Sequence, residues 1–251
     1  MRGIEVFQKY FAAYSEQYVL IGGTACDLVF QDNGLTFRPT KDFDVVLVAE
    51  ALTKEFVRQF WSFIKSGGYE IKQRGDGSPI FYRFQKPKDE QFPFMIELLS
   101  RDKRMIHPEL EDGSIIKMAA DEEIASLSAI LLNEDYYQLI QKGTVQIAGV
   151  SVLSDAYLLL FKAKAWLDLS SRKAKGDKIK NYDIHKHKND VVRLSLLLLP
   201  SQSMILPDAV KTDMGTFLSA YEADPSDLIA LGIQDIDNTE IIRRLHLYYS
   251  L

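Results

Sequence analysis

The sequence has one cysteine, Cys26, among 251 residues, so it forms neither an internal disulfide nor a cysteine-based zinc cluster, and it suits a reducing compartment. It has no long apolar run. The most aliphatic stretch, Leu194 to Leu199, is far too short to cross a bilayer, so no membrane partner is expected. Met1 to Gln17 mixes charged and apolar residues at helical spacing and has no uninterrupted apolar centre; it reads as a helix, not a signal peptide, and the expected location is the cytoplasm. Histidine is scarce, and His185 and His187 lack companion ligands at metal spacing. There is no internal repeat and no low-complexity tract. With a net charge of −5, the molecule as a whole offers little to a polyanion, and only a local concentration of cations would do so.

What is present is a large apolar share, 47% of residues, ample for a packed core. The most informative stretch runs from Tyr18 to Val48. An apolar segment stops at Gly22-Gly23-Thr24, a helical ACDLVF follows, and Asp42-Phe43-Asp44 leads into Val45-Val46-Leu47-Val48. This predicts a strand, a glycine turn, a helix and an acidic second strand. Leu52 to Ser66 has a helical apolar period ended by Gly67-Gly68, and Tyr69 to Gln73, Ile80 to Phe84 and the FPFMIELL segment predict further strands. Beyond residue 115 the pattern becomes helical: 121–132, 134–141, the helix carrying YLLLFKAKAWLDL, 182–199 closed by Pro200, 208–221 and 237–249, with a short hairpin around Gly149. The expected architecture is α/β, a mixed-sheet domain over 1–115 followed by a mainly helical domain over 116–251.

The acidic strand carries the chemistry. Side chains alternate along a strand, so Asp42 and Asp44 share one face and Phe43 takes the other. Glu97 is the one acid in the apolar run Phe92 to Leu99. If the two strands are neighbours, three carboxylates converge, and they repel one another unless a divalent cation compensates them. Magnesium prefers such oxygen ligands and completes its shell with water and phosphate; manganese is the alternative. Gly22 and Gly23 let backbone amides approach a phosphate, Thr24 adds a hydroxyl, and the helix that follows offers its amino-terminal dipole. Each part has a bland counterpart: a strand-to-helix corner, a solvated strand end, a half-exposed glutamate.

Taken together, Gly22-Gly23-Thr24-Ala25, a phenylalanine downstream, Arg38, Thr40 and Asp42-Phe43-Asp44 resemble the minimal nucleotidyltransferases of the AbiEii type, within the DNA polymerase β-like superfamily. Leu-Leu-Phe-Lys162-Ala-Lys164-Ala and the later Lys188-Asn-Asp190 are similar to that family's lysine helix and its downstream Lys-Asp helix. The resemblance implies a nucleotidyltransferase domain followed by helices, using magnesium and a nucleoside triphosphate. By position, Gly22, Gly23 and Thr24 would hold phosphate, Asp42 and Asp44 would bind metal, Lys162 would contact the triphosphate, and Asp190 would lie at the edge of the site. It also implies an acceptor such as transfer RNA and, for many members, a toxin role with an antitoxin partner. Arg193 stands where the family often has a second acid, and the 23–42 loop is longer than in the most compact polymerase-like members.

A cationic segment spans Arg172 to Lys188, with Arg172, Lys173, Lys175, Lys178, Lys180, Lys186 and Lys188 against Asp177 and Asp183. It reads either as a solvated helix connection or as a surface for triphosphate or an RNA backbone. Its lack of interleaved aromatics argues against base-by-base RNA reading. Two functions follow. The first is metal-dependent transfer of a nucleoside monophosphate from a triphosphate to RNA or protein, with Glu97 as a ligand of a second metal or as a base. The second is a non-catalytic module of the same fold that binds a nucleotide or a partner.

Overall fold

A computed structural model describes residues 1–73, 79–100, 127 and 130–251, with the backbone alone at 71–73 and 79–82. The helix expected over 121–132 and the turn over 74–79 fall largely outside the described residues. The chain divides into two compact units, Met1–Ala120 with Ile140–Ser154, and Asp121–Leu139 with Asp155–Leu251.

The first unit holds α1 (Ile4–Phe11), β1 (Tyr18–Ile21), α2 (Gly22–Asp32), β2 (Asp42–Leu47), α3 (Lys54–Gly67), β3 (Glu70–Gln73), β4 (Pro79–Gln85) and β5 (Met95–Ser100). After α4 (Glu134–Gly143), the hairpin β6 (Thr144–Ile147) and β7 (Val150–Leu153) completes a seven-stranded sheet of order β3-β4-β5-β2-β1-β7-β6. The sheet is mixed: β2 runs parallel to β5 and β1 parallel to β7, while the other pairs are antiparallel.

One face of the sheet is sealed by aromatics. Phe43, Ile96 and Phe84 are register neighbours on β2, β5 and β4, and all three are buried. Phe7 of α1 lies 5.5 Å from Phe43 between ring centres, and Phe60 of α3 lies 5.5 Å from Phe84. Helix α3 buries Phe56, Phe60, Phe63 and Ile64, its helically spaced stripe. Its start is fixed by Thr53, whose hydroxyl accepts from the Phe56 amide at 3.2 Å, and its end by Gly68 in the left-handed region. Period two then dictates the rest. If Phe43 faces this core, Asp42 and Asp44 must face away from it.

A boundary near residue 115 would assign the hairpin to the helical half. It is instead part of the sheet, because β7 pairs with β1, with Leu20 opposite Val152, and the Tyr18 hydroxyl accepts from the Ser151 amide at 3.5 Å. Burial pushes the Tyr18 hydroxyl up to about 12.

The second unit is helical, as expected: α5 (Asp155–Ala174), α6 (Asn181–Ser195), α7 (Asp208–Ala223) and α8 (Asn238–Tyr249), with the first turns of α4. Helix α6 stops four residues short of the expected Leu199, because Leu196 and Leu197 bond back to Arg193 and Leu194 and tighten the chain before Pro200. Trp166 and Phe217 pack edge to face at 5.4 Å, and the buried Tyr249 hydroxyl donates to the Ala156 carbonyl at 2.5 Å.

Candidate functional site

The register of the first unit lines up one row across four strands. Ile21 of β1 stands opposite Asp44 of β2, Asp44 beside Glu97 of β5, and Glu97 opposite Arg83 of β4. Neighbours in such a row are about 4.8 Å apart and point to one face. Asp44 and Glu97 are therefore adjacent on the face away from Phe43, and Asp42, two residues before Asp44, shares that face. Asp42 and Asp44 are half-buried, while Glu97 is 6% exposed.

The same row delivers the glycine turn. Ile21 ends β1, so Gly22 begins α2 directly beside Asp44. Gly22 has φ +70°, and a β-carbon on it would overlap the Asp44 carboxylate. Only glycine combines that backbone with that contact. A β-carbon on Gly23 would meet the Thr40 hydroxyl, with an Arg38 nitrogen 3.9 Å away. Thr24, fully buried, donates its hydroxyl to the Asp42 carbonyl at 2.7 Å. The first turn of α2 is thus fastened onto the start of β2, and Arg38, stacked 5.2 Å over the Phe37 ring, adds a cation near Gly23. The structure brings Gly22, Gly23, Thr24, Asp42, Asp44 and Glu97 together.

Glu97 has a protein cation. Arg83 Nε donates to Glu97 Oε1 at 2.7 Å, and Nη2 of the same guanidinium pairs with that oxygen, with the side chains 12% and 7% exposed. This pair supplies the reason for a buried acid that the run Phe92 to Leu99 alone did not offer. Arg83 was missed because a lone arginine among aromatics reads as a strand residue snorkelling to water. The usable signal was that one cation in an apolar strand and one acid in a nearby apolar strand satisfy each other when paired antiparallel.

Magnesium fits the donor set in a restricted form. As the side chains stand, no three His, Cys, Asp or Glu groups among the described residues are placed to hold an ion. Asp42 and Asp44 do offer two carboxylates on one face, beside a turn where no β-carbon fills the space. Magnesium is commonly held by one or two carboxylates, with waters and substrate phosphates completing its shell.

Lys162 and Asp190 belong to the second unit, where they pair with each other at 3.0 Å between α5 and α6, with side chains 6% and 0% exposed. Mutual neutralisation accounts for their burial. In the same unit Lys188 donates to the Asp224 carbonyl at 2.7 Å and to its carboxylate at 2.8 Å, closing the end of α7. That hydrogen bond and charge hold the Asp224 carboxyl below its ordinary value. Arg172 pairs with Asp177 at 2.9 Å, Lys173 donates to Asn181, and Lys186 lies 3.9 Å from Asp183. Lys175, Lys178 and Lys180 are exposed on the α5–α6 connection, beside an exposed Tyr182.

No protein-family model matches the chain, and no curated protein sequence matches it. Over 97% of its length the chain is similar to the crystal structure of an antigenic nucleotidyltransferase-like protein from Paracoccidioides brasiliensis, 94% of which is covered, at 14% sequence identity and a TM-score of 0.46.

Proposed function

We propose that the first unit carries a metal-dependent nucleotidyltransferase site that moves a nucleoside monophosphate from a triphosphate to an acceptor, either RNA such as transfer RNA or a protein. The observation that carries this is the packing of the Gly22 turn directly against the Asp44 carboxylate, with Thr24 fastened to Asp42. A helix start with bare amides and an acid pair on one face suit a polyphosphate and its cation. Asp42 and Asp44 would hold magnesium or manganese, which supplies charge neutralisation at the phosphates undergoing transfer. The backbone amides of the Gly22-Gly23-Thr24 turn would seat phosphate oxygens, while the Thr24 hydroxyl, spent on the Asp42 carbonyl, fastens the turn to β2. The acceptor hydroxyl passes its proton to water as its oxygen bonds the α-phosphorus, the bond from the α-phosphorus to the bridging oxygen breaks, and pyrophosphate leaves with that oxygen. The family resemblance adds a toxin role, with an antitoxin as partner.

The Arg83–Glu97 pair favours a second reading, a non-catalytic module of this fold that binds a nucleotide or a partner, because it compensates the third acid without metal. One experiment separates the two. The protein is incubated with magnesium, each α-labelled nucleoside triphosphate, and total RNA or total protein. Label carried into an acceptor by the wild type and not by Asp44→Asn supports transfer. Nucleotide binding without labelling in any combination overturns catalysis and leaves the binding module.

A further inference from the structure

We infer that Arg83 is a built-in counter-cation for Glu97 that is exchanged for divalent metal only when a triphosphate arrives, so that metal and nucleotide enter the site together and Arg83 becomes a nucleotide-binding residue. This rests on the nucleotidyltransferase reading of Asp42 and Asp44.

The geometry is a row of one cation followed by two acids. Arg83, Glu97 and Asp44 are consecutive register partners on three adjacent strands, and two guanidinium nitrogens of Arg83 converge on Glu97 Oε1. A charge-assisted pair with both side chains this poorly exposed is well held. While it holds, Glu97 is committed to the guanidinium, and its charge, neutralised by an arginine two strands from Asp44, adds little attraction for a cation on the same face. The protein's own cation therefore keeps the metal affinity of the unloaded site low. A triphosphate reverses the balance. Its oxygens match the planar guanidinium fork as well as a carboxylate does, so Arg83 has somewhere to go. Glu97 is then released toward Asp42 and Asp44, and the acid face becomes a stronger cation site. Because linkage is reciprocal, triphosphate raises metal affinity by the same factor by which metal raises triphosphate affinity.

The test is calorimetric titration of the full chain with magnesium, with α,β-methylene-ATP, with inorganic triphosphate as a base-free probe, and with metal and polyphosphate combined. In the wild type, magnesium alone binds weakly, and polyphosphate tightens it by a coupling factor of about 5–150. In Arg83→Gln, magnesium alone binds tighter by a comparable factor, and the coupling falls to the share that direct metal–phosphate contact supplies. Glu97→Gln, which retains the arginine, binds magnesium alone no tighter than the wild type and shows the same reduced coupling, so the inference stays testable if Arg83→Gln fails to fold. If the wild type binds magnesium and polyphosphate together but Arg83→Gln keeps its full coupling, or if Glu97→Gln keeps it, Arg83 is a static brace and the inference falls alone. If the wild type binds no magnesium with either polyphosphate, the nucleotidyltransferase reading falls, and this inference with it.

Discussion

Gly22 is where the fold and the candidate site constrain each other most directly. Its positive φ disfavours any side chain, and the Asp44 carboxylate occupies the place a β-carbon would take. The two costs can be separated. Gly22→Ala should destabilise the protein by roughly 1–3 kcal/mol, combining left-handed backbone strain with overlap. Asp44→Gly removes the overlapping group, so Gly22→Ala made in that background should retain only the backbone share, about 1 kcal/mol. A double-mutant cycle from denaturant midpoints measures the difference, and additive costs would show that the carboxylate simply turns away. The site residues differed in how far the sequence exposed them. Asp42 and Asp44 were placed correctly on one face because strand period alone decides it, and Phe43 between them marks the core side. Arg83 was not found, since its pairing with Glu97 is a fact of strand neighbourhood, and nothing in the local pattern of either strand states it.

Among the elements, α5 and α6 show why a residue's type predicts its role less well than its neighbours do. Lys162 lies on an apolar helix, and the resemblance implies a triphosphate contact; it is buried against Asp190, which is itself fully enclosed. The two are far apart in sequence, and helical periodicity says which face of each helix is apolar, not which residues meet across the contact. Removing one partner strands a charge where water cannot reach it. Lys162→Met alone should therefore cost roughly 3–5 kcal/mol, while Lys162→Met combined with Asp190→Leu should recover most of that, because apolar side chains of similar size often match a buried pair. Urea unfolding of the three variants checks it. A small cost for the single substitution would mean that water or another group reaches Asp190. The strand-and-helix order of the first unit was legible for the opposite reason: VLIGG, DFDVVLV and the stripe of α3 carry their boundaries in local turn and cap chemistry.

At the scale of the whole chain, sequence order and spatial membership part company. The path leaves the first unit after residue 120, returns for Ile140–Ser154, and leaves again. A composition shift near residue 115 therefore cannot reveal that β6 and β7 complete the sheet. A chain cut there would leave β1, buried along its length, without the strand beside it. The charge distribution, too, is read more finely from the partners each cation has. Of the cations in 172–188, Arg172, Lys173, Lys186 and Lys188 have partners within their own unit, which leaves Lys175, Lys178 and Lys180 exposed on one connection of a molecule with net charge −5. The segment is thus a compact cationic spot, not a broad basic face. If it meets an RNA backbone, each contacting lysine releases counterions. Replacing Lys175, Lys178 and Lys180 together with glutamine should weaken transfer RNA binding across sequences and make the slope of log affinity against log salt shallower by about 2–3. Filter binding over a salt series reads that slope directly. A slope equal to that of the wild type would mean that the connection is ordinary solvated surface and that any RNA acceptor is held elsewhere.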